Sequence, residues 1–237
     1  MSTIAAHLDD VLSRISRATA DAGRPAGSVR LLAVSKTFGA DAVREAVAAG
    51  QRAFGENYVQ EALDKIAATA DARVDGEPLE WHFIGPLQSN KTRPVAEHFD
   101  WVHSVDRLKI AERLSAQRPA DLPPLQVCLQ VNISGEASKS GVTPDEVPAV
   151  ARAIAALPNL TLRGLMAIPE PEDDPSRQCE PFKAVRELFD TLRADGLALD
   201  TLSMGMSGDL EAAVAEGATM VRIGTAIFGA RDYGSRA

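Results

Sequence analysis

The segment LSMGMSGDLEAAVAEGATMVRIGTAIFG, residues 202–229, decides the fold. Short apolar runs near its two ends predict strands at Thr201–Met204 and Met220–Ile223, and Asp209–Ala215 between them has helical spacing. Neither strand alternates polar with apolar side chains, which is typical of parallel strands buried on both faces. The segment therefore predicts a β–α–β unit of a parallel sheet.

The same alternation extends over the rest of the chain. Further strands are predicted at Leu31–Val34, Arg52–Gly55, Trp81–Ile84, Trp101–Val105, Leu125–Ile133 and Leu162–Ile168. Helices are predicted at 2–22, Asp41–Ala49, Tyr58–Ala70, Lys91–Phe99, Arg107–Gln117, Pro144–Leu157 and Ser176–Ala194. Eight βα units in 237 residues favour a single (β/α)8 TIM barrel of the α/β class over 1–237, with an extra N-terminal helix in residues 1–25 packing on it. An open doubly wound sheet is the alternative, although no G-x-G-x-x-G opens the first helix.

The composition narrows the possible partners. The chain has 25 Lys+Arg against 33 Asp+Glu, a net charge of −8, which disfavours nucleic acid and anionic membranes as partners. No apolar run approaches the roughly 18 residues of a membrane span, and the first residues lack the features of a signal peptide. The cysteines Cys128 and Cys179 have no metal or redox-pair spacing. We therefore expect a cytoplasmic protein without a metal site.

Polar residues follow several of the predicted strands. In a β/α barrel the site lies at the carboxyl ends of the strands, and the loops after the last two strands often bind phosphate. Those loops carry glycines and hydroxyl side chains, which are Gly205, Ser207, Gly208, Gly224 and Thr225. Glycine lets backbone N–H groups approach an anion closely, and helices that begin near Ser207 and after Thr225 would point their N-termini at it. This end of the chain therefore predicts an anion site.

A lysine and an arginine would share that cavity. Closing the barrel places the last strand beside the first, so that Lys36 and Arg222 face the same space. Burial at the end of an apolar strand lowers the pKa of a lysine and frees its amine to attack a carbonyl. An amine beside a phosphate site suggests a phosphorylated aldehyde held as an imine, and pyridoxal 5′-phosphate fits this description.

Each of these residues also has an ordinary structural explanation. Lys36 can be a solvent-reaching or ion-paired residue, and Ser207 can be the N-cap of the following helix. Asn57 and Gln60 have the spacing of a capping pair. These alternatives stay open at the level of the sequence.

Three polar residues lie within the apolar runs of predicted strands: Arg222, His82 and His103. Arg222 requires a buried partner or a cavity. His82 and His103 lack the spacing of metal ligands and are expected to be hydrogen-bonded core or loop histidines, although a role at the site stays open.

Eight segments carry a resemblance to a known family: LLAVSKT (31–37), FGENYVQEAL (54–63), WHFIGPLQSNK (81–91), SVDR (104–107), VNISGEASKSG (131–141), LRGLMAI (162–168), LSMGMSGDLEAAVAEGATMVRIGTAIFG (202–229) and ARDY (230–233). In this order they resemble the pyridoxal phosphate homeostasis proteins almost end to end. The resemblance implies a barrel like the N-terminal domain of alanine racemase and a role in intracellular vitamin B6 homeostasis, with no established catalytic reaction.

The resemblance also implies roles for individual residues. Lys36 would hold pyridoxal phosphate as an imine, and Arg222 would face the pyridine nitrogen. Asn57 would lie near the ring, and Lys139 resembles a family lysine near the pocket without a defined role. The phosphate would contact Ser207, Gly224 and Thr225.

Three kinds of function are compatible with such a site. A guanidinium at the pyridine nitrogen can only donate, which weakens the ring as an electron sink and disfavours transamination and decarboxylation. Racemisation needs a second acid/base, which the resemblance to alanine racemase assigns to a tyrosine of a second domain. Here only residues 226–237 follow Thr225, and the tyrosines are Tyr58 and Tyr233. We therefore expect a carrier that passes the cofactor to apo-enzymes. The alternatives are a racemase-like enzyme or lyase, and a barrel that binds another phosphorylated metabolite without an imine.

Overall fold

The computed structural model describes residues 3–135, 140–172 and 174–229. Lys139 and Tyr233, and with them the ARDY segment, lie outside these ranges.

Eight parallel strands form a closed barrel, and two short ones form a separate hairpin. In chain order the strands are β1 (Arg30–Val34), β2 (Ala53–Glu56), β3 (Arg73–Val74), β4 (Glu77–Pro78), β5 (Glu80–Phe83), β6 (Trp101–Val105), β7 (Leu125–Gln130), β8 (Leu160–Met166), β9 (Thr201–Ser203) and β10 (Met220–Ile223). Around the barrel the order is β1-β2-β5-β6-β7-β8-β9-β10, and β10 pairs with β1. The closed sheet confirms the predicted (β/α)8 class and excludes the open doubly wound sheet.

Helices follow the strands around the outside of the barrel. They are α1 (Ile4–Asp21), α2 (Ala40–Ala48), α3 (Val59–Ala68), α4 (Thr92–His98), α5 (Leu108–Gln117), α6 (Val147–Ala155), α7 (Pro175–Ala194), α8 (Leu210–Ala215) and α9 (Thr225–Phe228). Each predicted helix is present, with ends that differ by a few residues. No helix in the described ranges has both the length and the apolar character that a bilayer crossing needs.

The extra helix α1 packs against α8, α9 and α2. Its buried side chains recur at helical spacing, at Leu8, Val11, Ile15 and Ala18. Thr3 accepts a hydrogen bond from the Ala6 N–H and so acts as the N-cap. Full burial of a leucine or isoleucine contributes about 1.5–3 kcal/mol, so this face is sufficient to fix α1 beside the last two βα units.

The hairpin of β3 and β4 is not among the predicted elements. Asp75 and Gly76 join its strands, and both have positive φ, at 51° and 83°. An Asp-Gly pair is the strongest short signal for a two-residue hairpin turn, so the information was present in the sequence. The predicted strand Leu125–Ile133 is also too long, because β7 ends at Gln130 and only an isolated bridge from Val131 to Val142 continues it.

Candidate functional site

The carboxyl ends of the strands surround a cavity of about 290 Å³. All six residues predicted for the site line it: Lys36, Asn57, Ser207, Arg222, Gly224 and Thr225. They come from four separate parts of the chain, and the barrel brings them together. The register of β1 against β10, with Leu32 opposite Arg222, places the exits of these two strands side by side.

The turn that carries Lys36 is held by a buried cluster of charges. Lys65 on α3 donates from Nζ to the carbonyl oxygen of Ser35 at 2.7 Å and to Oε1 of Glu56 at 2.7 Å. The Ser35 hydroxyl donates to the same Glu56 oxygen at 2.5 Å. Burial raises the pKa of Glu56, and the charge and hydrogen bond of Lys65 offset part of that rise. The residue before Lys36 is thereby fixed on both its backbone and its side chain.

The residue after Lys36 is fixed as well. Thr37 has φ of +70°, a left-handed conformation that is unusual for a β-branched residue. Its N–H donates to Oε1 of Glu61 at 2.6 Å, and Glu61 also pairs with Lys65 at 2.6 Å. Such backbone strain costs about 1–3 kcal/mol and persists only where neighbouring contacts enforce it. This cluster is not among the predicted site residues, although the i,i+4 spacing of Glu61 and Lys65 indicates a pair on one helix face.

The loop after β9 presents Ser207 to the cavity. Helix α8 begins at Leu210 with Asp209 in the N-cap position, and the Met206 N–H donates to Oδ1 of Asp209 at 2.6 Å. Ser207 is therefore not the N-cap of that helix, which begins close to it, at Leu210. The Ser207 carbonyl accepts from Arg14 of α1 at 2.8 Å. Through Arg14, the extra helix α1 thus holds this loop in place.

The glycines of the two loops have different roles. A Cβ on Gly208, which lines the cavity, would meet no atom within 4 Å. A Cβ on Gly224 would lie 3.0 Å from the carbonyl oxygen of Val34, so close packing against β1 requires glycine there. Gly205 has φ of +98°, and a Cβ on it would lie 2.6 Å from that of Ala213. Gly205 is buried against α8 rather than in the lining of the cavity, which corrects the expectation that it approaches an anion.

Asn57 lines the cavity and has an unsatisfied side-chain oxygen. Its Oδ1 is buried and has no hydrogen-bond partner among the described residues. The capping-pair alternative is wrong, because Tyr58 occupies the N-cap of α3 and Gln60 donates to Asp64 instead. An adjoining cavity of about 210 Å³ shares Asn57 with the first. A buried acceptor without a donor is costly, so a ligand or water that donates to it is favoured.

Arg222 is buried in the barrel wall and anchored by two neutral acceptors. Its Nη1 donates to the Ser203 hydroxyl at 2.8 Å and its Nη2 to the carbonyl oxygen of Ala167 at 2.9 Å. Burial lowers the pKa of Arg222 to about 10, so the side chain stays a cation at neutral pH. The arginine therefore has both of the features expected for it, a buried partner and a cavity.

His82 and His103 lie in the barrel interior and do not line the cavity. Nδ1 of His82 lies 2.9 Å from Nε2 of His103, and Nδ1 of His103 lies 2.7 Å from the Ser203 hydroxyl. Burial lowers the pKa of both imidazoles, that of His103 well below its ordinary value. The prediction of hydrogen-bonded core histidines is confirmed.

Comparison with known proteins relates the barrel to one family. Residues 7–232 match the family model described as alanine racemase, N-terminal domain. A pyridoxal phosphate homeostasis protein from Pseudomonas aeruginosa is 66% identical over 237 residues and covers 100% of both chains. The protein of that description from Escherichia coli K12 is 57% identical over 236 residues, again covering 100% of both chains.

A solved structure extends the likeness to three dimensions. PipY of Synechococcus elongatus, with PLP bound, has 41% sequence identity and a TM-score of 0.78. The match covers 91% of the present chain and 100% of PipY.

Proposed function

The chain belongs to the pyridoxal phosphate homeostasis protein family, and from this we propose that it binds pyridoxal 5′-phosphate in the cavity at the carboxyl ends of its strands. The observation that carries the proposal is the convergence of Lys36, Arg222 and the hydroxyl-bearing loops on one cavity. The Lys36 amine is the point of covalent attachment. When bound, the cofactor supplies an aldehyde that reacts with amines and a phosphate that carries negative charge.

The charges and polar atoms of the cavity fit this ligand. Among its described lining residues, the ionisable ones are Lys36 and Arg222, so the lining favours an anion. Ser207 and Thr225 offer hydroxyl donors to the phosphate, and Gly224 lines the same cavity. Arg222 is placed to donate to the ring nitrogen, and the unsatisfied Asn57 oxygen accepts from a donor beside the ring.

The same lining favours a carrier over a catalyst. Two-base chemistry needs a second group that can accept a proton, and a guanidinium cannot do so. Within the described part of the cavity lining, Lys36 is thus the one group able to act as a base. We propose that the protein holds the cofactor in the cytoplasm, limits the free aldehyde and passes it to apo-enzymes.

Trapping the bound aldehyde tests the attachment. We expect borohydride to fix the cofactor on the peptide that contains Lys36, as shown by its mass. Lys36→Ala is expected to lose both this adduct and the absorption band of the lysine-bound cofactor while keeping its thermal stability. Lys91→Ala, which removes an exposed lysine outside the cavity lining, is the control and is expected to behave as the unsubstituted protein. An unchanged band in Lys36→Ala contradicts the assignment.

The mouth of the cavity supports the transfer proposal. Ile168 and Met206, with 41% and 38% of their surface exposed, are large hydrophobic residues that line the cavity. Transfer is tested by mixing the loaded protein with a purified pyridoxal phosphate-dependent apo-enzyme in the presence of a trap for free aldehyde. Recovery of enzyme activity despite the trap supports direct delivery, and complete loss of recovery contradicts it.

A further inference from the structure

A chain of hydrogen bonds crosses the barrel interior from the cavity to the opposite end. Arg222 donates to Ser203, which lies 2.7 Å from Nδ1 of His103. His103 and His82 are joined at 2.9 Å, and Nε2 of His82 lies 2.7 Å from Oε1 of Glu80. Glu80 is the first residue of β5, at the amino end of the strands. There it lines a separate cavity of about 300 Å³.

The Glu80 carboxylate and the neutral state of the two buried imidazoles, whose pKa values burial lowers, determine the direction of every bond in this chain. A guanidinium only donates, so the Ser203 oxygen accepts from Arg222 and its single hydrogen is available for Nδ1 of His103. His103 then carries its hydrogen on Nε2 and donates to Nδ1 of His82. His82 in turn donates from Nε2 to the Glu80 carboxylate. Both imidazoles therefore carry their single hydrogen on Nε2.

Burial makes this arrangement rigid. His82, His103 and Ser203 have no exposed surface, and Arg222 is 5% exposed. Removal of any link leaves a buried donor or acceptor unsatisfied, and aligned hydrogen bonds in a low-dielectric interior polarise one another. At the far end Arg30 also donates to Oε1 of Glu80 at 2.7 Å. The negative charge of Glu80 is therefore aligned, through neutral groups, with the positive charge of Arg222.

We propose that Ser203, His103 and His82 are positioning residues for Arg222, and that Glu80 orients the chain from the opposite end of the barrel. The effect on cofactor binding rests on the proposed function, whereas the tautomers of the two histidines do not. The chain fixes the orientation of the guanidinium, so that its remaining N–H groups are presented to the cavity and to a ring nitrogen there.

The tautomers are measured on the full chain without added ligand, by long-range ¹H–¹⁵N spectra of protein labelled in its four histidines. We expect His82 and His103 to be neutral with hydrogen on Nε2 at neutral pH. Ser203→Ala removes the donor to His103 and is expected to shift the Nδ1 resonance of that residue. A cationic His82, or hydrogen on Nδ1 of His103, overturns the proposed direction.

Cofactor affinity tests the effect on Arg222. We expect Ser203→Ala to weaken pyridoxal phosphate binding by about three- to tenfold, the effect of one net hydrogen bond. An analogue with carbon in place of the ring nitrogen should bind Ser203→Ala and the unsubstituted protein equally well. Thr201→Val removes another buried hydroxyl of β9, one that bonds Asp200, and serves as the control with unchanged affinity.

The outcomes of these experiments separate the two proposals. Equal losses for the cofactor and the carbon analogue overturn the positioning role, since they indicate a general disturbance of the cavity. If the unsubstituted protein binds no cofactor, the proposed function fails, while the histidine tautomers still test the hydrogen-bond chain.

Glu80→Gln removes the terminal charge and should shift the His82 resonances, whereas Glu77→Gln, at an exposed carboxylate of the same end, should not. Unshifted His82 resonances in Glu80→Gln overturn the role of Glu80.

Discussion

Ser207 combines a backbone that neighbouring helices hold in place with a position in the lining of the cavity. Its carbonyl oxygen accepts from Arg14, which also pairs with Glu211 at 2.6 Å, so α1 and α8 together fix the loop. The residue also lines the cavity, and it is not the cap of α8. Because the backbone contact survives substitution of the side chain, the two roles can be separated by experiment.

Replacing Ser207 by alanine should therefore affect phosphate recognition more than stability. A hydrogen bond to a charged group contributes about 1.5–3 kcal/mol, so we expect pyridoxal phosphate affinity to fall by roughly ten- to a hundredfold. Unphosphorylated pyridoxal does not use the hydroxyl, and its weaker binding should hardly change. The test is to measure the affinities for both ligands and the melting temperature of Ser207→Ala. Equal losses of affinity for the two ligands would show that Ser207 does not contact the phosphate.

At the residue scale, the sequence predicts well which side chains lie at the ends of strands, because the end of a strand is recognised from neighbouring residues in the sequence. It places Lys36, Ser207 and Arg222 on one cavity by topology alone. The hydrogen-bond partners of the buried histidines cannot be obtained in this way. His103 and Ser203 are 100 positions apart in the chain, and only the closed barrel brings them together.

At the scale of elements, the loop between β1 and α2 depends on the neighbouring helix α3. Glu61 and Lys65, one turn apart on that helix, hold the backbone on both sides of Lys36. The sequence predicts α3 and the strand before Lys36 but not the hydrogen bonds that connect them. The capping interpretation of Asn57 uses only neighbours along the chain, whereas the structure places that residue in the lining of the cavity.

Substitution of Glu61 tests whether this support matters for the site. Glu61→Ala removes the acceptor of the Thr37 N–H and one of the three acceptors of Lys65, so we expect a loss of stability of about 0.5–1.5 kcal/mol. We also expect cofactor affinity to fall, since the turn that carries Lys36 is less constrained. Gln60→Ala changes an exposed neighbour that bonds only Asp64 among the contacts described, and should change neither quantity. Unchanged affinity in Glu61→Ala, measured by titration, contradicts a role for the cluster in orienting Lys36.

At the scale of the whole molecule, polar side chains lie inside the barrel, and apolar side chains pack between its strands and the surrounding helices. The outer faces of the strands pack against the helices as predicted from their continuous apolar runs. Within the barrel, two imidazoles, a hydroxyl and a guanidinium replace part of the usual apolar filling. Such groups are stable only while they remain hydrogen-bonded and the histidines stay neutral, which makes the stability of the fold dependent on pH.

The direction of that dependence follows from the lowered pKa values of His82 and His103. Below the unfolded value of about 6.5, the unfolded chain binds protons that the folded histidines do not. The free energy of unfolding should therefore fall as the pH decreases from about 7, by up to about 1.4 kcal/mol per pH unit for each histidine, until the folded value is reached.

Urea denaturation between about pH 7.5 and 5 measures how far the free energy of unfolding falls. Histidine variants then show which residue causes the fall. Carboxyl groups whose pKa is raised by burial, such as Glu56 and Asp100, oppose the loss, because protonation of the folded state then stabilises it. The comparison of slopes between variants removes this shared contribution. His82→Gln should have a shallower slope than the unsubstituted protein, and His98→Gln, at an exposed ring on α4, should have the same slope. If His82→Gln loses stability with falling pH as steeply as the unsubstituted protein, burial of a neutral His82 is not what couples this fold to pH.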